Sequence, residues 1–342
     1  MDYIKLKTRY KQFGGLRLVI EYARLGVLGT AAKGFFRCLI KRQSFKAIYP
    51  EVLKRVEPML VAKYSHIVQE YKSSISSRNE IAGSVRNESA STGSATVKPI
   101  WFCWLQGLEQ APPIVHACYN SLKKHLADRE IKVIDNENWK EYVELPEFIV
   151  KKWEKKRIPA ALFSDLLRLE LLIKYGGTWI DSTVLCTGFN GSSSLSGSTN
   201  SPTIQEYLDA DLFLFQYTKQ GSIPVSISNW FITACSNNEV LMVLRDMLFA
   251  YWKDYDCTLD YYIFHLFFGF LSKEYPEEIA AMPYGQSMNS LVIMHNLGDK
   301  FDQEKWDKLT QRVCFHKLAF RVSDNVKADK EDYFNKIIQM YS

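Results

Sequence analysis

The sequence predicts an α/β fold with an N-terminal helical appendage. From residue 98 onwards, short β-branched and aromatic runs alternate with longer helical segments, which favours a sheet covered by helices. Residues 73–97 are rich in Ser, Gly, Asn and Thr and poor in large apolar groups, which is typical of a flexible linker. Basic residues recur at helical spacing before that linker. We therefore expect a basic helical module over 1–72, the linker, and an α/β domain over 98–342.

Length and composition restrict the class of protein. The chain has 342 residues, 47% of them hydrophobic and 24% charged, which excludes a collagen, a coiled coil or a wholly disordered chain. The longest uncharged apolar stretch, 261–271, is too short to span a bilayer, and the N-terminus lacks the pattern of a signal peptide. Seven cysteines without a CxxC pair predict reduced thiols and no zinc site.

Positive charge is concentrated near the N-terminus. Residues 1–64 hold 14 Lys or Arg and 4 Asp or Glu, a charge of +10, whereas the whole chain carries +5. Arg17, Glu21 and Arg24 share a helical face beside leucines, a pattern that suits an anionic membrane surface. The alternative is a helix that packs on the main domain and keeps its basic face in solvent. Nucleic-acid binding is not expected, because no nucleic-acid motif accompanies the charge.

The elements of the α/β domain follow from residue pattern and from Pro and Gly positions. The predicted strands are 100–104, 131–134, 178–187 and 211–215, and the predicted helices are 113–126, 160–174, 239–252 and 259–271. Ligands of such sheets bind at the carboxyl ends of the strands. Trp104, Asp135 and Asp181 stand at or near those ends, so we expect them at a site. The Ser- and Gly-rich segment 188–202 directly after this region predicts either a loop that covers the site or a variable surface loop.

The segment 161–183 carries the strongest signal. Asp165 and Arg168 lie three residues apart on an otherwise apolar helix and therefore share a face. They are either a buried structural ion pair or polar groups that recognise sugar hydroxyls and phosphate. Gly176 and Gly177 then allow the backbone to turn sharply beside a ligand or a neighbouring strand.

The run FSDLLRLELLIKYGGTWIDSTV, at 163–184, resembles the signature of DXD-type glycosyltransferases with the GT-A fold, and within them the capsular polysaccharide synthesis branch. Four further stretches resemble that family in the expected order: its first strand and helix, its second strand, a helix after the sheet, and a C-terminal His-Lys segment. They are PIWFCWLQGLEQAPPIVHACYNSLKKH, VIDNENWKEYVELPEFI, SNWFITACSNNEVL and CFHKLAF. The resemblance covers about 98–320 and implies a Rossmann-type, GT-A-like domain that binds a nucleotide sugar.

The resemblance also implies roles for particular residues. Trp104 would stack on the nucleotide base, Asp165 and Arg168 would bind the donor sugar, and Asp181 would be the first acid of DXD. Thr183 stands where the second acid is expected, so any Mg²⁺ or Mn²⁺ would bind weakly, through Asp181 and the substrate diphosphate. The implied catalytic residues are Asp181, Asp165 and Arg168. The implied donor-binding set is Trp104, Asp135, Asp165, Arg168, Gly176, Gly177, Asp181, Thr183, His316 and Lys317.

Three residues are candidates for the acceptor side: Trp230, Asp260 and His265. Each has a packing alternative, as has the pair His316 and Lys317, which could instead be a surface pair. The family implies transfer of a hexose from a nucleotide sugar to a lipid-linked bacterial capsular or surface polysaccharide, with retention of configuration, on the cytoplasmic face of the plasma membrane. The alternative hypothesis is a catalytically impaired scaffold of a membrane polysaccharide assembly complex.

Overall fold

The computed structural model describes residues 10–33, 49–82, 98–188, 203–220, 223–323, 326 and 331–342. The chain divides into two compact units. The first, termed the helical unit, comprises Met1–Ser91, Glu144–Leu167 and Glu239–Glu274. The second, termed the sheet unit, comprises Thr92–Val143, Arg168–Asn238 and Tyr275–Ser342.

A five-stranded sheet forms the centre of the sheet unit. The strands of the unit are β1 (Ile100–Cys103), β2 (Ile131–Ile134), β3 (Gly177–Asp181), β4 (Val184–Cys186), β5 (Leu212–Gln220), β6 (Ile223–Ala234) and β7 (Phe315–Lys317). The sheet order is β2-β1-β3-β6-β5, and β4 pairs with β7 in a separate ladder. β1 is parallel to β2 and β3, whereas β6 is antiparallel to β3 and β5. The predicted α/β class is therefore confirmed.

Helices account for most of the remaining described chain. They are α1 (Leu16–Arg24), α2 (Tyr49–Tyr64), α3 (His66–Ala82), α4 (Pro113–His125), α5 (Trp139–Tyr142), α6 (Glu147–Glu154), α7 (Ala160–Tyr175), α8 (Ile204–Leu208), α9 (Glu239–Asp254), α10 (Ile263–Glu274), α11 (Pro276–Ala280), α12 (Ser287–His295), α13 (Gln303–Thr310) and α14 (Tyr333–Met340). Within the described ranges, no helix has both the length and the apolar character needed to cross a membrane.

The glycine pair after α7 is required by strand packing. Gly176 and Gly177 have φ values of 67° and 99°, which L side chains rarely adopt. A Cβ on Gly177 would lie 2.3 Å from the carbonyl oxygen of Pro99. Gly177 begins β3 and Asp181 ends it, about 13 Å away at 3.3 Å per residue. The backbone of both glycines approaches neighbouring chain, and their donor contact stays a prediction.

One expected element has a different structure. The segment 228–241 resembles a helix after the sheet, but its first half forms the end of β6, and the helix starts only at Glu239. Phe231 and Thr233 share one face of this strand, since they are two residues apart. They pair in register with Ile180 and Thr178 of β3, and the two threonine hydroxyls bond at 2.8 Å, so residues with high strand propensity explain the strand.

The expected N-terminal helices are present, and they pack within the helical unit. The Tyr64 hydroxyl donates to Asp254 at 2.9 Å, Tyr71 donates to Asp246 at 2.6 Å, and Lys72 pairs with Glu274 at 2.7 Å. The helix α3 continues to Ala82, into the segment predicted as linker. The rest of that segment and most of the loop 188–202 lie outside the described residues. The predicted domain boundaries stay a prediction.

The helix α1 has two different faces. One face buries Leu18 and Tyr22, and the preceding Phe13 carbonyl accepts from the Thr258 amide at 2.9 Å. The other face carries Leu16 and Ile20, whose exposed fractions are 68% and 44%. One face of α1 is thus packed within the helical unit and the other is exposed, and contact with a membrane stays a prediction.

Replacing Gly177 with Ala tests the packing role of the glycine pair. We expect Gly177→Ala to lower the free energy of unfolding by about 2 kcal/mol or more, because the new Cβ meets Pro99 at a positive φ. Gly29→Ala is the matched control, since a Cβ there meets nothing within 4 Å. Urea unfolding measures both. Equal stability of the two variants would contradict the packing role.

Candidate functional site

Asp181 lies at the edge of the sheet where parallel strands end. It is the last residue of β3, and its backbone pairs in register with Cys103, the last residue of β1. Its side chain is 26% exposed. The carboxylate is thus partly open to solvent at the edge where α/β sheets bind ligands.

Three N–H donors hold the Asp181 carboxylate. Its Oδ1 accepts from the Trp179 indole at 2.9 Å and from the Arg168 guanidinium at 3.1 Å. Its Oδ2 accepts from the Lys317 ammonium at 3.0 Å. Such charge-assisted bonds from three side chains fix the carboxylate in one orientation.

Lys317 reaches Asp181 because β7 pairs with β4. The register places Lys317 opposite Val184, and the Leu318 amide donates to the Thr183 carbonyl at 2.7 Å. The Lys317 ammonium also donates to the Thr183 hydroxyl. Lys317 of the C-terminal segment is therefore in direct contact with Asp181 and Thr183 of the DXD-like motif, and all three belong to the predicted donor set.

Arg168 is buried beside Asp181. Its side chain is 3% exposed, and its guanidinium lies 4.8 Å from the centre of the Trp179 ring. Trp179 and Asp181 are two residues apart on β3 and hence share a face, so one indole both supports the guanidinium and donates to the carboxylate.

Two cations contact the Asp181 carboxylate. Burial alone raises the pKa of Asp181, but the charges of Lys317 and Arg168 and the hydrogen bonds from Trp179 and Lys317 outweigh it and hold the pKa below its usual value. One carboxylate therefore faces two cations. The neighbouring Cys103 thiol stays neutral, because burial raises its pKa to about 12.

His316 does not join this cluster. It is buried on the face of β7 opposite Lys317, and its Nε2 lies 3.3 Å from the Thr187 hydroxyl. Burial lowers its pKa to about 4, so the ring is neutral near pH 7. Side chains alternate along a strand, so His316 and Lys317 face opposite sides, and a contact of His316 with a diphosphate stays a prediction.

Trp104 and Asp135 follow the ends of β1 and β2. Trp104 packs edge-on against Phe320, and its buried indole N–H has no partner in the described part of the chain. The Asp135 carboxylate accepts from the amides of Glu137 and Asn138 at 2.8 and 3.0 Å, which shapes the turn before α5. Base stacking by Trp104 and a donor contact by Asp135 stay predictions.

The comparisons with known proteins give the family. The model of the family described as "Capsular polysaccharide synthesis protein" matches residues 37–337. The chain belongs to this family. The match begins well before residue 98, so the capsular polysaccharide synthesis family includes α2 and α3, which the predicted resemblance left out.

Structural similarity to a glycosyltransferase is distant. The chain is similar to a solved structure titled "PaToxG Glycosyltransferase", with a TM-score of 0.36 and 14% identity, over 63% of this chain and 84% of that one. A TM-score of 0.36 is too low for one structure to indicate the site residues of the other. No curated protein matches the sequence.

Asp165, the second residue of α7 in the predicted donor set, does not belong to the same unit as Arg168. The division of the chain falls between Leu167 and Arg168, so Asp165 is part of the helical unit, where it is buried. Its role in donor binding stays a prediction.

The three acceptor-side candidates all make packing or hydrogen-bond contacts, and their acceptor roles stay predictions. Trp230 is buried in the core and stacks on Phe215 at 4.5 Å. Asp260 is buried and accepts from the Tyr262 amide at 2.8 Å, just before α10. His265 is half-buried on α10, with the Tyr262 ring 5.5 Å away. Asp260 and His265 both belong to the helical unit.

Two neighbours of the cluster were not predicted as site residues. Trp179 is absent from the predicted site residues, although its period-two spacing from Asp181 places both on one face of β3. Cys103 carries no signal in the sequence, because only the parallel pairing of β1 with β3 brings it beside Asp181.

The burial of His316 predicts a pH dependence of stability. As pH falls from about 6.5 to about 4, the unfolded chain takes up a proton that the folded chain refuses. The free energy of unfolding should therefore fall over this window, by up to about 3 kcal/mol from this residue. Urea unfolding of His316→Gln should show a smaller pH dependence than wild type, while exposed His66→Gln should not. Equal pH dependence in all three proteins would contradict the buried neutral imidazole.

Proposed function

We propose that this protein is a glycosyltransferase that transfers a hexose from a nucleotide sugar to a capsular or surface polysaccharide, with retention of configuration. Membership of the capsular polysaccharide synthesis family supports the pathway. The single observation that carries the catalytic assignment is the Asp181 cluster, a partly exposed carboxylate held by Arg168, Lys317 and Trp179 at the carboxyl edge of the sheet. A GT-A-like architecture of the sheet unit is part of the same proposal.

Each member of the cluster has a distinct role in this proposal. Asp181 accepts hydrogen bonds from hydroxyl groups of the donor. Lys317 uses two of its three N–H groups on Asp181 and Thr183, and its third donates to the donor diphosphate. Arg168 is a positioning residue, because it is almost fully buried and acts by orienting Asp181.

The reaction breaks the bond between the anomeric carbon and the diphosphate oxygen and forms a bond to an acceptor hydroxyl oxygen. The electron pair of the broken bond stays on the departing diphosphate, where negative charge develops, and the proton of the acceptor hydroxyl passes to an oxygen of that diphosphate. A cation held in place before the reaction stabilises that charge without reorganisation. Lys317 supplies it, since β7 and β4 fix its backbone.

The acceptor is a lipid-linked oligosaccharide at the cytoplasmic face of the membrane. Support comes from α1, where the exposed Leu16 and Ile20 lie beside exposed Arg17 and Arg24. Apolar side chains flanked by arginines suit an interface with anionic lipids.

Replacing Asp181 tests the catalytic assignment. We expect Asp181→Asn to lower turnover about ten- to a hundredfold, because it weakens hydrogen bonds to charged groups that each contribute roughly 1.5–3 kcal/mol. Release of UDP or GDP from a panel of nucleotide sugars, with a polysaccharide acceptor, measures turnover. Asp254→Asn is the matched control, as Asp254 pairs with Lys63 at 2.8 Å in the helical unit. Normal turnover in Asp181→Asn with a lower melting temperature would show that the cluster is structural. A wild type that binds no nucleotide sugar would favour the scaffold alternative.

Two pairs of substitutions on α1 test membrane contact. The double variant Arg17→Gln, Arg24→Gln should bind anionic vesicles about thirtyfold more weakly, since each basic residue near the surface contributes about 1 kcal/mol. Leu16→Ser with Ile20→Ser should also weaken binding. Met288→Ser with Met340→Ser is the control, because both methionines are exposed in the sheet unit. Vesicle sedimentation that is equal in all four proteins would contradict the assignment of this face.

A further inference from the structure

The ammonium of Lys317 lies between the two key positions of the Asp-Ser-Thr motif. It is 3.0 Å from Oδ2 of Asp181, the first position, and donates a hydrogen bond to the hydroxyl of Thr183, the second. These are the two side chains between which the DXD resemblance implies a divalent cation. A positively charged group of the chain itself thus occupies that space.

The residues present do not fit a divalent cation. Mg²⁺ binds oxygen ligands at about 2.0–2.1 Å in near-octahedral geometry. Oδ1 of Asp181 already accepts from Trp179 and Arg168, and Oδ2 accepts from Lys317. A metal on Oδ2 would lie beside the ammonium and be repelled by it. Among the described residues, no group of three or more His, Cys, Asp or Glu side chains could hold a metal ion.

The same residues fit an anion. The Lys317 side chain, which pairs with Asp181 at 3.0 Å, is 21% exposed. Its third N–H has no partner in the described part of the chain. An ammonium with one remaining donor at a partly open edge binds a phosphate oxygen as a point charge.

The position of Lys317 is fixed by its backbone. β7 pairs with β4 on three consecutive residues, and the Leu318 amide closes onto the Thr183 carbonyl. Phe315 and His316, the two preceding residues, are buried. Lys317 therefore differs from a surface lysine, whose side chain must be ordered when a ligand binds.

We propose that Lys317 is a built-in cation that takes the place of a divalent metal, so that the site binds the diphosphate of its donor without a metal ion. The identity of the ligand rests on the proposed function. The prediction about metal binding does not depend on that function. The ligand class is a nucleoside diphosphate, recognised through phosphate oxygens by Lys317 and through hydroxyl groups by Asp181.

The first experiment tests metal binding after a second carboxylate is introduced at Thr183 and the ammonium of Lys317 is removed. Titration calorimetry with Mn²⁺ alone compares wild type, Thr183→Asp, and the double variant Thr183→Asp, Lys317→Met. The new carboxylate in Thr183→Asp pairs with Lys317, so this variant and wild type should show no Mn²⁺ binding. The double variant offers two carboxylates without the ammonium and should bind Mn²⁺. Thr183→Asp that binds Mn²⁺ as tightly as the double variant would overturn the inference, as would a double variant that melts like wild type and binds none.

The ligand arm uses UDP and GDP in EDTA and in excess Mg²⁺. Wild type should bind one of them equally well in both. Lys317→Met should weaken that binding at least about tenfold, and Lys317→Arg should restore part of it. Lys308→Met, which removes an exposed charge paired with Glu304, should bind like wild type. Binding that requires Mg²⁺, or that Lys317→Met leaves unchanged, would overturn the inference and the role given to Lys317, and it would leave the assignment as a glycosyltransferase standing. Failure of both probes under both conditions would overturn the proposed function as well.

Discussion

The ion pair between Asp181 and Lys317 is the contact on which the candidate site depends. It joins the end of β3 to a strand near the C-terminus, and both partners are only partly exposed. A carboxylate in that position is costly to bury unless cations and hydrogen bonds surround it. Arg168 and Trp179 complete that surrounding, so the edge of the sheet holds one negative charge in a fixed orientation between two positive ones.

Local residue pattern predicted the elements that build this edge, and it missed contacts that depend on tertiary pairing. The strand ending in Asp181 and the helix carrying Arg168 follow from apolar runs and from the glycine pair that stops the helix. Lys317 was also expected near the donor. The sequence does not reveal that β7 pairs with β4, and without that register His316 and Lys317 look equivalent, although one is buried and the other faces the cluster.

The remaining differences have similar causes. The segment 228–241 contains both strand-forming and helix-forming residues, and pairing with β3 selects the strand for its first half. The Ser-rich start of the predicted linker is helical, because α3 continues through it. The sequence does not define the contacts of Trp104, Asp135 and Asp165. The Asp135 carboxylate accepts from the amides of the following turn, and the buried indole N–H of Trp104 has no partner in the described part of the chain. Asp165 has interactions of its own within the folded chain.

A tethered ammonium has a consequence for how a reaction cycle ends. A metal ion can leave an enzyme together with a diphosphate product, since the two form a complex in solution. Lys317 is part of the chain and stays behind, held by the pairing of β7 with β4. In the proposed reaction the product therefore departs by itself, and salt, rather than the supply of a metal, governs how fast the site becomes free for the next donor.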